Sequence, residues 1–230
     1  MTARLTLVDG ANAQEPAGKA VKASGKGARS RQARAKKRRQ HLTEVVMELV
    51  KERGFGAISV NEVAERASIS IGGLYRHIDT KNDLLEMVCD EINLELLDDM
   101  RKAAAEQRGA PAKLEAAIRT YWYRHWDSAA AILIAYREYQ SFGDDAKERH
   151  SEEERRIAEY LGDLIRAGVI NEDFREVDDR LLSYEIILLS HMRALKGYAF
   201  KGKDRDAVLE EMLELVFSRL RRQGVGKDAR

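Results

Sequence analysis

Residues 59–85 read SVNEVAERASISIGGLYRHIDTKNDLL, and three helix starts fall within this one stretch. Ser59 and Glu62 stand at capping-box spacing, where the hydroxyl and the carboxylate each serve the other's free backbone N–H, so a short helix is expected over 60–66. Ser70 offers a second N-cap a few residues later, and Ile71, Leu74, Tyr75 and Ile78 fall on one side of a second helix over 71–78. Thr80 and Asp83 repeat the box with Asp in place of Glu. They open a long helix through Leu84, Leu85, Met87, Val88, Ile92, Leu96 and Leu97 to about residue 107. Two short helices across a tight turn form a unit whose second member fits the ~12 Å major groove of B-DNA.

On that second helix Gly72 and Gly73 each cost ~1 kcal/mol of helix stability, so stability does not select them. They bare the backbone to a phosphate or a base edge. Tyr75, Arg76 and His77 supply a phenol, a guanidinium and an imidazole one turn on, and Lys81 sits where helix dipole and ammonium attract the same anion. The expected DNA-contact set is Ser70, Ile71, Gly72, Gly73, Tyr75, Arg76, His77 and Lys81. Tyr75 also reads as a core-edge aromatic, and His77 as a capping or packing histidine.

Upstream, Leu42, Val45, Val46, Leu49 and Val50 recur at three- and four-residue steps and make one buried stripe on a helix over 31–53. Gly54 suits the left-handed residue just past its end, with Phe55 folding back on the last turn. Residues 1–30, rich in Ala, Gly, Ser and Lys, have too little apolar surface to order themselves and are expected to form a disordered basic arm. Eleven Lys and Arg precede His41 against only Asp9 and Glu15, a surplus of nine. With a total of +1, the remainder carries a net −8. A basic arm on an acidic body suits a polyanion, either nucleic acid or an anionic membrane; it also suits a plain solvated tail.

Downstream, Gly109-Ala110-Pro111 opens a helix through Leu114, Ala117, Ile118, Tyr121, Trp122 and Trp126, and Asp127 and Ser128 can cap the next. A helix over 147–166 buries Ile157, Tyr160, Leu161, Leu164 and Ile165, with Gly168 as its expected end. Residues 181–198 are apolar around nearly the full circumference, and 205–221 are wider in apolar face than one core needs. No segment alternates with period two, so the chain is expected to be all-α. Two prolines in 230 residues agree with long helices.

Composition removes several classes. Cys89 is the one cysteine, so no internal disulfide and no multi-cysteine zinc site can form. No run of ~18 apolar residues and no signal-peptide pattern occurs, so a cytoplasmic protein without a membrane span is expected. The five histidines are scattered, and no His-Glu-x-x-His is present. Residues 197–204 fit the phosphate-loop pattern except that Asp204 stands where Ser or Thr should bind magnesium, and no strand precedes them. His150 with Glu153 and Glu154 reads as a solvated face rather than a metal site. No enzyme, metal or cofactor is expected. A helical adaptor or membrane-surface protein using the basic arm is the alternative from another class.

Residues 39–85 resemble the DNA-binding domain of the tetracycline-repressor (TetR) family. The resemblance is carried by Gly54-Phe55, Ile58-Ser59-Val60, Val63-Ala64, Ala67-Ser68-Ile69-Ser70, Gly72, Leu74-Tyr75, His77-Ile78, Lys81 and Leu84-Leu85. The chain departs at Gly73, where the family often has Thr, Ser or Ala, and at Ile78, which replaces the usual Phe; the first would change which bases are read. The resemblance implies a three-helix DNA-binding head with a helix-turn-helix, then a helical ligand-binding and dimerisation body. The corresponding division is an arm at 1–30, a head at 31–89, a body at 90–223 and a tail at 224–230. It implies a repressor that binds a palindromic double-stranded DNA operator as a homodimer and is released by a small-molecule effector.

The dimer face is expected on the last two long helices, at Ile187, Leu188, Met192, Leu195, Leu209, Met212, Leu213 and Val216. The aromatics on 121–142 are either ordinary core or a pocket lining. The lining reading selects Trp122, Trp126, Leu133, Tyr136, Arg137, Ile187 and His191. Arg137 would take a ligand carboxylate or phosphate, or else pair with Glu138 or Glu185; His191 is a ligand contact or a hydrogen-bonded core histidine. Residues 121–202, including Tyr136-Arg137-Glu138 and Leu195-Lys196-Gly197-Tyr198, are similar to bodies of members that respond to acyl-CoA esters and other lipid-like or aromatic molecules. That ranks hydrophobic acids or their CoA thioesters above cationic drugs as effectors.

Overall fold

Ser59 Oγ accepts the Glu62 N–H and Ser70 Oγ the Gly73 N–H, so both expected caps start helices at the expected residues. The computed structural model describes residues 22–222, with side chains from Lys37 onward; the expected arm up to residue 21 and the expected tail at 224–230 lie outside the described residues. Among the described residues there are eleven α-helices and no strand. The chain divides between Arg39 and Gln40 into two units. Helix α1 (Lys22–Arg53) runs through that division, beginning nine residues before the expected start. The backbone over residues 22–30 continues this helix, since extending an existing helix fixes one residue per hydrogen bond and needs no new nucleus.

In the second unit, α1 from Gln40 onward packs with α2 (Val60–Arg66), α3 (Ile71–Leu74) and α4 (Lys81–Asn93) around Leu49, Val63, Leu74, Leu84 and Val88. This core continues into the body through Ala131, Ile132 and Ile134 of α7 (Ala129–Glu138). A second core lies among α5 (Leu96–Ala105), α6 (Ala110–Asp127), α8 (Asp144–Ile170), α9 (Asp179–Ser190) and α11 (Arg205–Leu220). A short α10 (Met192–Leu195) follows α9.

Four expectations about helix extent are corrected. The second short helix ends at Leu74, and Tyr75, Arg76 and His77 form a turn closed by His77 N–H to Leu74 O at 2.8 Å. The long helix expected from 81 to 107 is broken at Leu94 and Glu95, the latter left-handed at φ +60°. Its apolar periodicity carries across the break, which is why no sequence signal marks it. There Arg124 of α6 takes over the role of the missing turn: its Nη1 donates to Ile92 O at 3.2 Å and Leu94 O at 3.4 Å, and its Nη2 to Asp99 at 3.1 Å. Gly168 does not end α8, which runs to Ile170; the Phe174 ring lies against it so closely that a Cβ would fall inside the ring. The helix expected over 181–198 tightens at His191, whose N–H reaches back three residues to Leu188 O at 3.0 Å.

Candidate functional site

The helix-turn-helix is positioned by its caps. The turn between α2 and α3 is closed by Ile69 N–H to Ala64 O at 2.9 Å, with Ser68 left-handed at φ +54°. Glu62 does not return its carboxylate to Ser59 as a full box would; it pairs with Arg53 of α1. The third box is complete. Asp83 accepts from Thr80 N–H at 3.0 Å, Thr80 Oγ1 at 2.7 Å and Asp79 N–H at 2.6 Å. Burial alone would raise its carboxyl, but these donors hold it below the usual carboxylate range.

Of the expected DNA contacts, Ser70, Ile71, Gly72, Tyr75, Arg76 and His77 are exposed. Arg76 has no carboxylate partner among the described residues, whereas Arg53 and Arg66 are paired to Glu62 and Glu52. Gly72 faces open space, but Gly73 is buried, and a Cβ there would lie 3.0 Å from the capping Ser70 Oγ. A side chain at Gly73 would therefore press on the cap. Lys81 is half-buried: its Nζ donates to Gly56 O at 3.1 Å and lies 4.8 Å from the Phe55 ring centre. It ties the turn after α1 to α4, and its ammonium has further donors beyond that bond.

A cavity of about 420 Å³ opens between α4, α6, α7, α8 and the α9–α10 junction. Ile92 and Asn93, from the last turn of α4, form part of its wall. At one side a ring stack joins Tyr121, His125 and His191, with centres 3.9 Å apart for Tyr121–His125 and 4.7 Å for His125–His191. His191 Nε2 lies 3.0 Å from Tyr121 Oη and its Nδ1 2.9 Å from Tyr136 Oη, while His125 Nδ1 meets Tyr121 O at 2.9 Å. His125 is pushed down to about 3, by burial first and then by the His191 beside it; burial pushes His191 down to about 4. Both rings are neutral at pH 7. Burial raises the Glu154 carboxyl across the cavity and lowers His150, whose Nε2 is buried without a hydrogen-bond partner. The Cys89 thiol, raised by burial to about 12, is an inert wall.

Of the expected lining residues, Tyr136 and His191 are brought together at this cavity and five are not. Trp122 and Trp126 stack at 5.1 Å in the second core, where Ile187 is also buried; Leu133 packs against the first core, and Arg137 is exposed. Glu185, one of the expected Arg137 partners, is held by Arg219 at 2.7 Å. The sequence reading placed Tyr121 in the aromatic cluster without selecting it for the lining, and did not select His125, His150 or Glu154. The signal was spacing: Tyr121 and His125 lie four apart, as do His150 and Glu154, each pair on one helix face. His150 and Glu154 thus line a cavity rather than the solvated face expected of them.

The expected dimer face needs the same revision. Ile187, Leu209, Met212, Leu213 and Val216 are buried within their own chain, and Met192 is half-buried. Leu188 and Leu195 do face outward. Leu181, Leu188 and Leu195, spaced by seven, are exposed by 51%, 54% and 37%, with Leu215 of α11 at 57% and Tyr198 at 81%.

A capped helix-turn-helix with a free arginine beside it, carried on an all-helical body that holds a cavity, defines a DNA-binding transcription regulator. Residues 42–88 match the family model described as bacterial regulatory proteins of the tetR family, and residues 107–220 match the tetracyclin repressor-like C-terminal domain. The chain belongs to the TetR family. It is 29% identical over 189 residues to the HTH-type transcriptional repressor KstR2 of Rhodococcus jostii (strain RHA1), covering 80% of this chain and 91% of that protein. A tetR-family regulatory protein from Rhodococcus RHA1 has the same fold at a TM-score of 0.69 and 21% identity, covering 80% of this chain and 97% of the other. FadR from Bacillus subtilis, solved in complex with stearoyl-CoA, matches at a TM-score of 0.65 and 19% identity, over 79% of this chain and 99% of its own. Among the described residues no helix is long and apolar enough to cross a membrane.

Proposed function

We propose that this chain is a cytoplasmic repressor that binds a palindromic double-stranded DNA operator as a homodimer and is released by a small apolar or acyl effector seated in the cavity beside His191. The observation that carries this reading is the path of α4. It starts at Lys81, next to the exposed turn of Tyr75, Arg76 and His77, and its last turn supplies Ile92 and Asn93 to the cavity wall. A molecule that changes the packing of that last turn acts on the same rigid helix that seats the head. The stearoyl-CoA held by FadR supports an acyl effector class, and a cavity of about 420 Å³ is within the usual range for small-molecule sites, ~300–1,000 Å³.

Dimerisation uses the exposed stripe of Leu181, Leu188 and Leu195 on α9 and α10 with Leu215 on α11, apolar surface that a second copy would cover. The two heads then present their turns to half-sites about one helical turn, ~34–36 Å, apart or a multiple of it. The coupling requires the effector to prefer the non-binding arrangement by a few kcal/mol, hence to bind free protein more tightly than operator-bound protein. The test is a thermal-shift screen of acyl and aromatic metabolites, followed by operator release measured by fluorescence anisotropy. A ligand that stabilises the protein without changing operator affinity would show a pocket without a switch, and a stable monomer at micromolar concentration would remove the palindrome.

A further inference from the structure

His191 has a tyrosine hydroxyl on each ring nitrogen, and the two hydroxyls are not equivalent. Both tyrosines line the cavity, but Tyr121 is 2% exposed and, among the described residues, its Oη has no hydrogen-bond partner besides His191 Nε2, whereas Tyr136 is 47% exposed. A neutral imidazole donates from one nitrogen and accepts at the other. If Nε2 carried the proton, Tyr121 Oη would accept it, and its own hydrogen would be left buried without an acceptor, which costs more than the bond returns. The consistent arrangement has Tyr121 O–H donating to Nε2 and Nδ1–H donating to Tyr136 Oη. The Tyr136 hydroxyl hydrogen is then the one left over, and it is free for whatever occupies the cavity.

The rest of the wall bears on the same question. Among the described residues no lysine or arginine lines the cavity, and the one carboxyl group on its wall, Glu154, has no ion-pair partner. Arg137, the cation the sequence offered for an acidic ligand, is exposed and outside the wall. A carboxylate brought into this space would lose its water, gain no counter-charge and face Glu154. The buried and unpartnered His150 Nε2 is a further polar atom on the wall suited to an uncharged group.

We propose that the cavity selects an uncharged, oxygen-bearing apolar group, such as an ester, thioester or ketone, whose carbonyl oxygen accepts the Tyr136 hydroxyl hydrogen, and that it rejects the corresponding free carboxylate. This assignment rests on the effector-cavity reading above and narrows it from hydrophobic acids in general to their neutral derivatives. The relay also gives His191 a defined role: it is a positioning residue that turns the Tyr136 hydrogen outward without itself touching the ligand.

The experiment has two arms. In the full-length protein labelled with ¹⁵N-histidine, the His191 ring is expected to be neutral with its proton on Nδ1 at pH 7. Decanoate, methyl decanoate and butylbenzene are then titrated against the wild type and Tyr136→Phe, with binding followed calorimetrically. Methyl decanoate should bind at least about a hundredfold more tightly than decanoate. Tyr136→Phe should weaken the ester about fivefold to tenfold and leave butylbenzene, which has no acceptor, unchanged. A proton on Nε2, equal binding of acid and ester, or equal loss of ester and butylbenzene in the variant would overturn the assignment while leaving the effector cavity intact. Failure of all three probes to bind, with Nδ1 protonated, would overturn the effector-cavity reading and this assignment together.

Discussion

Replacing Arg124 by Ala removes the one side chain that closes the break between α4 and α5. Its guanidinium serves two carbonyls at the end of α4, Ile92 O and Leu94 O, and the Asp99 carboxylate one turn into α5. Hydrogen bonds that involve a charged group contribute roughly 1.5–3 kcal/mol each when buried. Here the side chain is 34% exposed and Asp99 38%, so water replaces much of what is lost and the ion pair itself is worth under about 1 kcal/mol. A cation at a helix C-terminus adds about 0.3–1 kcal/mol. The sum expected is about 2 kcal/mol, which for a chain of this length lowers Tm by about 4–8 °C. Hydrogen exchange separates this from a general loss of stability: amides at residues 93–99 should exchange faster while those of α2 and the buried part of α1 keep their order. Arg124→Lys should recover only part, because an ammonium cannot span both carbonyls and Asp99 as the planar fork does. A Tm within 1 °C of the wild type, with unchanged exchange across the break, would refute the clamp.

Gly168→Ala drives a Cβ into the Phe174 ring and should cost about 1–3 kcal/mol in chemical denaturation, partly recovered by adding Phe174→Leu. Gly72→Ala projects into open space and should stabilise α3 slightly while changing which members of an operator library bind; Gly73→Ala, pressing on the Ser70 cap, should lower stability and weaken all operators together. Lys81→Ala should also weaken all operators alike, but through a lost tie to Gly56 O as well as a lost phosphate contact, so its Tm should fall too. The pH dependence follows from His125 and His191. Their folded values, about 3 and about 4, lie below the unfolded ~6.5, so between these limits the unfolded chain binds more protons and stability falls as pH falls. Each withdraws about 1.4 kcal/mol per pH unit below ~6.5, with Glu154, raised by burial, acting in the opposite sense; urea unfolding at pH 7 and pH 5.5 should show the loss, reduced in His191→Phe.

What could be read from sequence was what local chemistry specifies. Ser59, Ser70, Thr80 with Asp83, and Gly54 are punctuation whose effect is decided within four residues: helices start after the first three and α1 ends just before Gly54. The break at Glu95 was not legible, because its cause is Arg124, far along the chain, and because Ile92, Leu96, Leu97 and Met100 keep an unbroken apolar rhythm through it. The same limit governed the site. Trp122 and Trp126 attracted attention as large aromatics, yet size favours the fully enclosed core, while the cavity formed where tyrosines, histidines and aliphatic side chains of several helices met without filling the space. The expected dimer residues show the same limit: apolar width said that α9 and α11 have more apolar surface than one core face needs, but only the fold decides which side is spent on the chain's own core. Leu209, Met212, Leu213 and Val216 went inward, and Leu181, with Leu188 and Leu195 at seven-residue steps, stayed outside. A helix's periodicity fixes which residues share a face; the partner that face meets is fixed by residues elsewhere, and for this chain those are the residues that make the site.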